Sequence, residues 1–187
     1  MKKTLLIVLL CLLLAVSACG KTEIRPTEDA SAPEAAAQTL SFETTDLNGN
    51  AVSSEELLSA HKITMVNVMT TWCTYCIQEL PELQKLGESY AEKDCAVVGI
   101  LYDGTDDALI ETGRSLMEQA GASYTVLLPW EGMETQIPVQ AFPTTFFVSS
   151  DGEIVGETIL GAEPARYVTQ LDALLAQTVV SSRKRER

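Results

Sequence analysis

The 187-residue sequence predicts an α/β domain on three observations. Two apolar runs, Ile63–Met69 and Cys95–Leu101, lack the polar alternation of a half-solvated strand, and the second in particular fits a strand buried on both faces. Each run feeds a helical pattern, one leaving Cys73 for about Tyr90 and one over Asp106–Ala120 that stops at Gly121. Near the end, Asp151-Gly152 marks a hairpin between the strands Phe142–Val148 and Ile154–Ile159. Helices alternating with buried strands and closing on an antiparallel hairpin imply strands and helices packed as layers of one core.

Residues 1–18 read as a secretory signal: Lys2 and Lys3 supply the charged start and Thr4–Val16 the apolar core. That core is short for a membrane-spanning helix, which needs about 20 residues. Val16-Ser17-Ala18-Cys19 resembles the bacterial lipobox, in which the cysteine is lipidated and becomes the new N-terminus. The alternative is an ordinary cleaved signal with a chance cysteine; Cys11 reads as apolar filler. The lipoprotein reading predicts a palmitate-type anchor on Cys19 and an extracytoplasmic, membrane-held domain in a compartment that permits disulfides. Residues 19–38, rich in Ala, Glu, Thr and Pro, read as a flexible tether.

The folded domain is expected over 39–177. Leu40, Phe42 and Thr44 alternate with polar residues, and Asn48-Gly49 marks an N-terminal hairpin. Ser53, with Glu56 three residues on, is a capping pattern for a short helix to about Ala60. Pro81 falls inside the helix after Cys73, so a kink is expected there. Tyr124–Leu128 reads as a short strand, Trp130–Pro138 as irregular or briefly helical, and Pro164–Gln177 as the last helix. Residues 178–187, ending Arg183-Lys184-Arg185-Glu186-Arg187, read as a basic disordered tail, with contact to anionic lipid as the alternative.

A net charge of −13 argues against nucleic acid, whose phosphates need a basic patch. The five cysteines do not form a disulfide framework: Cys11 and Cys19 lie in the leader, Cys95 stands alone as an expected buried thiol, and Cys73 and Cys76 form a C-x-x-C pair. That pair sits where a strand becomes a helix. The unpaired N–H groups and partial positive charge of a helix start stabilise a thiolate, so Cys73 should have a lowered pKa. The spacing also suits a short-loop disulfide. Taken alone, the pair points to redox chemistry or to a metal.

Further motifs narrow this. Phe42…Asp46-Leu47-Asn48-Gly49, Val66–Met69 followed by Thr70-Thr71-Trp72-Cys73-Thr74-Tyr75-Cys76-Ile77-Gln78-Glu79-Leu80-Pro81, Phe142-Pro143-Thr144-Thr145-Phe146, and Asp151-Gly152…Gly156…Gly161 resemble the thioredoxin superfamily. Within it they look like the membrane-tethered thiol–disulfide oxidoreductases of the TlpA/ResA kind, over roughly residues 40–175. The resemblance implies a thioredoxin-like fold: a central mixed sheet flanked by helices, with the N-terminal hairpin and an inserted αβ segment. It implies that Cys73 is the attacking thiolate and Cys76 resolves the mixed disulfide. It places Trp72, Phe142, cis-Pro143 and Thr144 at the substrate surface, and makes Glu79 a proton carrier for Cys76. Plain thioredoxins carry a buried Asp in the preceding strand, where this chain has Asn67. The alternatives are a core tryptophan for Trp72, a trans Pro143 and a solvated Glu79.

The family also implies a monomer without cofactor that accepts electrons from a membrane thiol–disulfide donor and reduces exported proteins, including apocytochromes c and methionine sulfoxide reductases. Zinc would need four ligands, yet His61 is the single histidine and no second C-x-x-C exists. Haem attachment would need His where Ile77 stands. A peroxiredoxin would have Pro seven residues before the cysteine, where this chain has Val66. Tyr75 replaces the family's frequent Pro and Ile77 its frequent basic residue, so a disulfide-forming oxidase stays open beside the reductase, and a non-catalytic binding module beside both.

Overall fold

The computed structural model describes residues 39–137 and 139–185, with side chains through Thr178, all within one compact unit. The signal, Cys19 and the tether, as well as Glu186 and Arg187, lie outside the described residues.

The chain opens with the antiparallel pair β1 (Glu43–Thr45) and β2 (Ala51–Ser53). Their turn is built by Asp46, which accepts hydrogen bonds from Asn48 N (2.8 Å) and Asn50 N (2.9 Å). Gly49 adopts φ +85, a left-handed conformation that favours glycine. Ser53 caps α1 (Ser54–Ser59), accepting from Glu56 N at 3.2 Å, as the capping pattern predicts.

The central sheet follows, with strands β3 (Ile63–Met69), β4 (Cys95–Leu101), β5 (Val126–Leu127), β6 (Thr144–Ser149) and β7 (Ile154–Leu160) in the order β5-β4-β3-β6-β7. β3 runs parallel to β4, from Ile63↔Cys95 to Met69↔Leu101, and antiparallel to β6. The sheet is therefore mixed. Helices α2 (Thr74–Ala91), α3 (Asp107–Ala120), α4 (Met133–Gln136) and α5 (Pro164–Arg185) complete the domain.

All seven residues of β3 are buried, and strand alternation divides them between two cores. Val66 and Val68 pack with Leu40, Phe42, Leu58 and Met133 on one face. Ile63 and Met65 pack with Leu83 of α2 and with Tyr167 and Leu171 of α5 on the other. Asn67 shares the parity of the second set, so strand register aims an amide into the α2/α5 layer.

Two expectations about extent are corrected. β5 pairs with β4 over Val126–Leu127 alone, and its outer edge meets the N-terminal segment: Leu47 N donates to Val126 O and Leu128 N to Thr45 O, each at 2.9 Å. The last helix does not stop at Gln177 but runs to Arg185, so the tail expected to be disordered is helical through that residue. No glycine or proline falls between Ala165 and Arg185, so nothing in the sequence stops the helix. Pro81 lies inside α2, which is assigned as one helix from Thr74 to Ala91.

Candidate active site

Strand β3 ends at Met69 and four residues later Cys73 caps α2. The Cys73 Sγ accepts a hydrogen bond from Cys76 N at 3.2 Å, so a thiolate here meets one of the unpaired amides of the first turn. Cys73 and Cys76 are joined as a disulfide with Cα atoms 5.3 Å apart. Cys73 is 6% exposed and Cys76 fully buried, so an incoming sulfur reaches Cys73 first. Asp103 fixes the loop before the pair. Its carboxylate accepts from Thr71 N (3.0 Å) and Thr71 Oγ1 (2.6 Å).

The rim beside the disulfide is aromatic. Trp72 is 69% exposed, which overturns the alternative of a core tryptophan, and it meets Phe142 edge-on with ring centroids 5.7 Å apart. Phe142 packs in turn on Tyr102 at 5.3 Å. Tyr75 adds a second exposed ring, at 68%. The Phe142–Pro143 peptide is cis, not trans. Thr144, expected at the substrate surface, is buried, and its hydroxyl donates to Ala141 O at 2.6 Å. Its backbone lies between β3 and β7, so Thr144 braces the proline loop from behind.

Glu79 lies one turn along α2 from Cys76. It is 3% exposed, not solvated. Its Oε1 accepts from Asn67 Nδ2 (2.8 Å) and its Oε2 from Tyr167 Oη (3.0 Å), while Asn67 Nδ2 also donates to Thr145 Oγ1 (3.0 Å). Burial pushes the Glu79 carboxyl up to about 7, against the pull of the Asn67 and Tyr167 hydrogen bonds. A carboxyl in that range can take a proton and return it at neutral pH. Tyr167 escaped the sequence reading; its only signal was apolar periodicity in the last helix, which marks a core residue and nothing more.

Cys95 is buried at the start of β4, as expected of a structural thiol. Burial, with the Asp94 carboxylate beside it, pushes its thiol up to about 11. Among the described residues, no group of three or more His, Cys, Asp or Glu side chains is arranged to hold a metal ion, and no helix is long and apolar enough to cross a membrane.

A mixed sheet with a disulfide at a helix start, facing a cis-proline loop, defines a thioredoxin-like thiol–disulfide oxidoreductase. The family model described as AhpC/TSA matches residues 34–156, and the chain belongs to that family. It is 27% identical over 135 residues to the thioredoxin-like protein YneN of Bacillus subtilis (72% of this chain, 73% of that protein). It is 29% identical over 124 residues to the thiol–disulfide oxidoreductase ResA of Bacillus anthracis (65% and 67%). Among solved structures, a thiol:disulfide interchange protein of the thioredoxin family from Chlorobium tepidum superposes with a TM-score of 0.60 at 22% identity, covering 75% of this chain and 94% of that one. StoA from Bacillus subtilis does so with a TM-score of 0.57 at 19% identity, covering 71% and 96%. At those identities the superpositions speak to the fold alone.

Proposed function

We propose that the protein is a reductase of disulfides in exported proteins, recharged by a membrane thiol–disulfide donor and held at the membrane by lipid on Cys19. The observation that carries the direction of electron flow is the sparse stabilisation of Cys73. Among the described residues its sulfur accepts a single hydrogen bond, from Cys76 N, and α2 has no basic residue near its start. A strongly oxidising disulfide needs a strongly stabilised reduced form. Here the thiolate receives the helix start and one amide, which favours a reducing pair over the oxidase reading.

The reaction balances as follows. The Cys73 thiolate attacks one sulfur of the target disulfide, forms a mixed disulfide and expels the other target sulfur as a thiolate. Cys76 gives its proton to Glu79 and attacks Cys73 Sγ, which expels the second target sulfur and closes Cys73–Cys76. The target gains two electrons and takes two protons from water; the dithiol loses two electrons. Glu79 then returns its proton to solvent. The Trp72–Phe142–Pro143 rim offers an apolar surface beside the attacked sulfur, where an extended peptide can pair with loop backbone.

The test is capture. Cys76→Ala should accumulate mixed disulfides between Cys73 and exported proteins, apocytochromes c and methionine sulfoxide reductases being the expected types. Cys73→Ser should capture none. Failure of Cys76→Ala to capture any protein would leave a binding module as the better reading. Cys19→Ala should release the protein from the membrane fraction, and retention there would remove the lipid anchor.

A further inference from the structure

We propose that Tyr167 is a positioning residue that couples the proton on Glu79 to the cis-Pro143 loop, where substrate docks. The inference rests on the reading of Glu79 as the proton carrier for Cys76.

The Tyr167 hydroxyl has one proton and two acceptors at equal distance, Glu79 Oε2 and Gly161 O, each 3.0 Å away. Glu163 N donates to the same hydroxyl oxygen at 3.2 Å, and the Thr145 hydroxyl also donates to it, so both hold it in place without consuming its proton. Tyr167 is fully buried. On the other side of the Gly161 Cα, Gly161 N donates to Pro143 O at 2.8 Å. Gly161 has φ +86, the conformation that lets its two peptides face Tyr167 and Pro143. A single file therefore runs from Glu79 through the Tyr167 hydroxyl and Gly161 to the carbonyl of the substrate-facing proline.

The two protonation states of Glu79 load this file differently. An ionised carboxylate is the stronger acceptor, so it draws the Tyr167 proton to itself and leaves Gly161 O without it. When Glu79 takes the Cys76 proton, its charge is lost and Gly161 O becomes the better acceptor. The loop thus senses whether the resolving step has occurred. The groups facing Glu79 are few: Asn67 from β3, Thr145 from β6, Tyr167 from α5, Glu82 on its own helix, and Tyr124 ahead of β5, whose hydroxyl feels the Glu79 charge. Among these, Tyr167 alone has a hydrogen bond to Gly161.

The experiment is a pH titration of the oxidised full chain by NMR, following the Glu79 Cδ and the amide of Ala162, which shares a peptide with Gly161 O. In the wild type both should titrate with one midpoint near neutrality. In Tyr167→Phe, Glu79 should still titrate, with its midpoint raised by about one unit because a donor to the charged form is gone, and the Ala162 response should vanish. The same variant should resolve a Cys73 mixed disulfide about fivefold more slowly at pH 7, the loss of ionised carboxylate that such a rise implies. In a Glu79→Gln background it should have no effect on that rate. An Ala162 amide that still follows Glu79 in Tyr167→Phe, or that is silent in the wild type while Glu79 titrates, would overturn the coupling. A Glu79→Gln variant whose resolving rate keeps the wild-type pH profile would instead overturn the proton-carrier reading beneath it.

Discussion

Replacing Glu79 by Gln should make the protein more stable at pH 8 while impairing the exchange reaction. The wild-type carboxyl moves from 4.5 to about 7 on folding because it is buried. Below pH 4.5 both the folded and the unfolded chain carry the proton, and burial costs nothing. As the pH rises through the window between 4.5 and about 7, the unfolded chain releases the proton and the folded one keeps it. Stability then falls by about 1.4 kcal/mol per pH unit. Above the folded midpoint the loss is complete, at about 3 kcal/mol. Glutamine keeps the acceptor for Asn67 Nδ2 but never ionises, so its unfolding curve lacks this slope. Denaturant unfolding of the oxidised proteins at pH 4, 6 and 8 measures the difference. The two should match at pH 4, and Glu79→Gln should lead by about 3 kcal/mol at pH 8. Parallel pH profiles for the two proteins would refute the placement of a buried, neutral-range carboxyl behind Cys76.

Three other outcomes follow from the same geometry. Trp72→Ala should raise the KM for a peptide disulfide at least about fivefold, as for an interface anchor, and leave the potential of the pair unchanged, because the indole is exposed and does not touch the buried core; steady-state kinetics and a redox titration read both. Gly99→Ala should cost about 1–3 kcal/mol in a denaturant melt, since an added Cβ would lie 2.9 Å from Val126 Cγ2 and 3.4 Å from the Tyr124 ring. Cys95 should resist iodoacetamide at pH 8 in the native protein, because its thiol lies near 11, and peptide mapping should find it alkylated only after denaturation.

The fold was largely legible because its signals are local. Ser53 reads as a cap from its neighbours alone, Gly121 as a helix stop, the apolar run of β3 as a strand, and that of β4 as a strand buried on both faces. The cysteine pair and Pro143 were legible because their motifs are short and contiguous. What the sequence hid depends on long-range contacts. Tyr167 reaches Glu79 across 88 residues and Asp103 reaches Thr71 across 32, and neither partner carries a local mark of the other. β5 is shorter than Tyr124–Leu128, and its outer-edge partner, the segment at Thr45–Leu47, is a long-range contact that no local pattern marks. Motif position suggests Thr144 for the substrate surface, but β6 is buried on both faces and Thr144 is paired with Val68 on one side and Leu160 on the other. The last helix outruns Gln177 because no helix breaker stands among the residues that follow, and basic composition alone does not stop a helix.

The central claim is that the Cys73–Cys76 pair works as a reductant, and its equilibrium reduction potential against a glutathione or dithiothreitol buffer tests it most directly. A thiolate held by one amide and a helix start predicts a value near that of thioredoxin, about −270 mV. A value near that of DsbA, about −120 mV, would contradict it and make the protein a disulfide-forming oxidase.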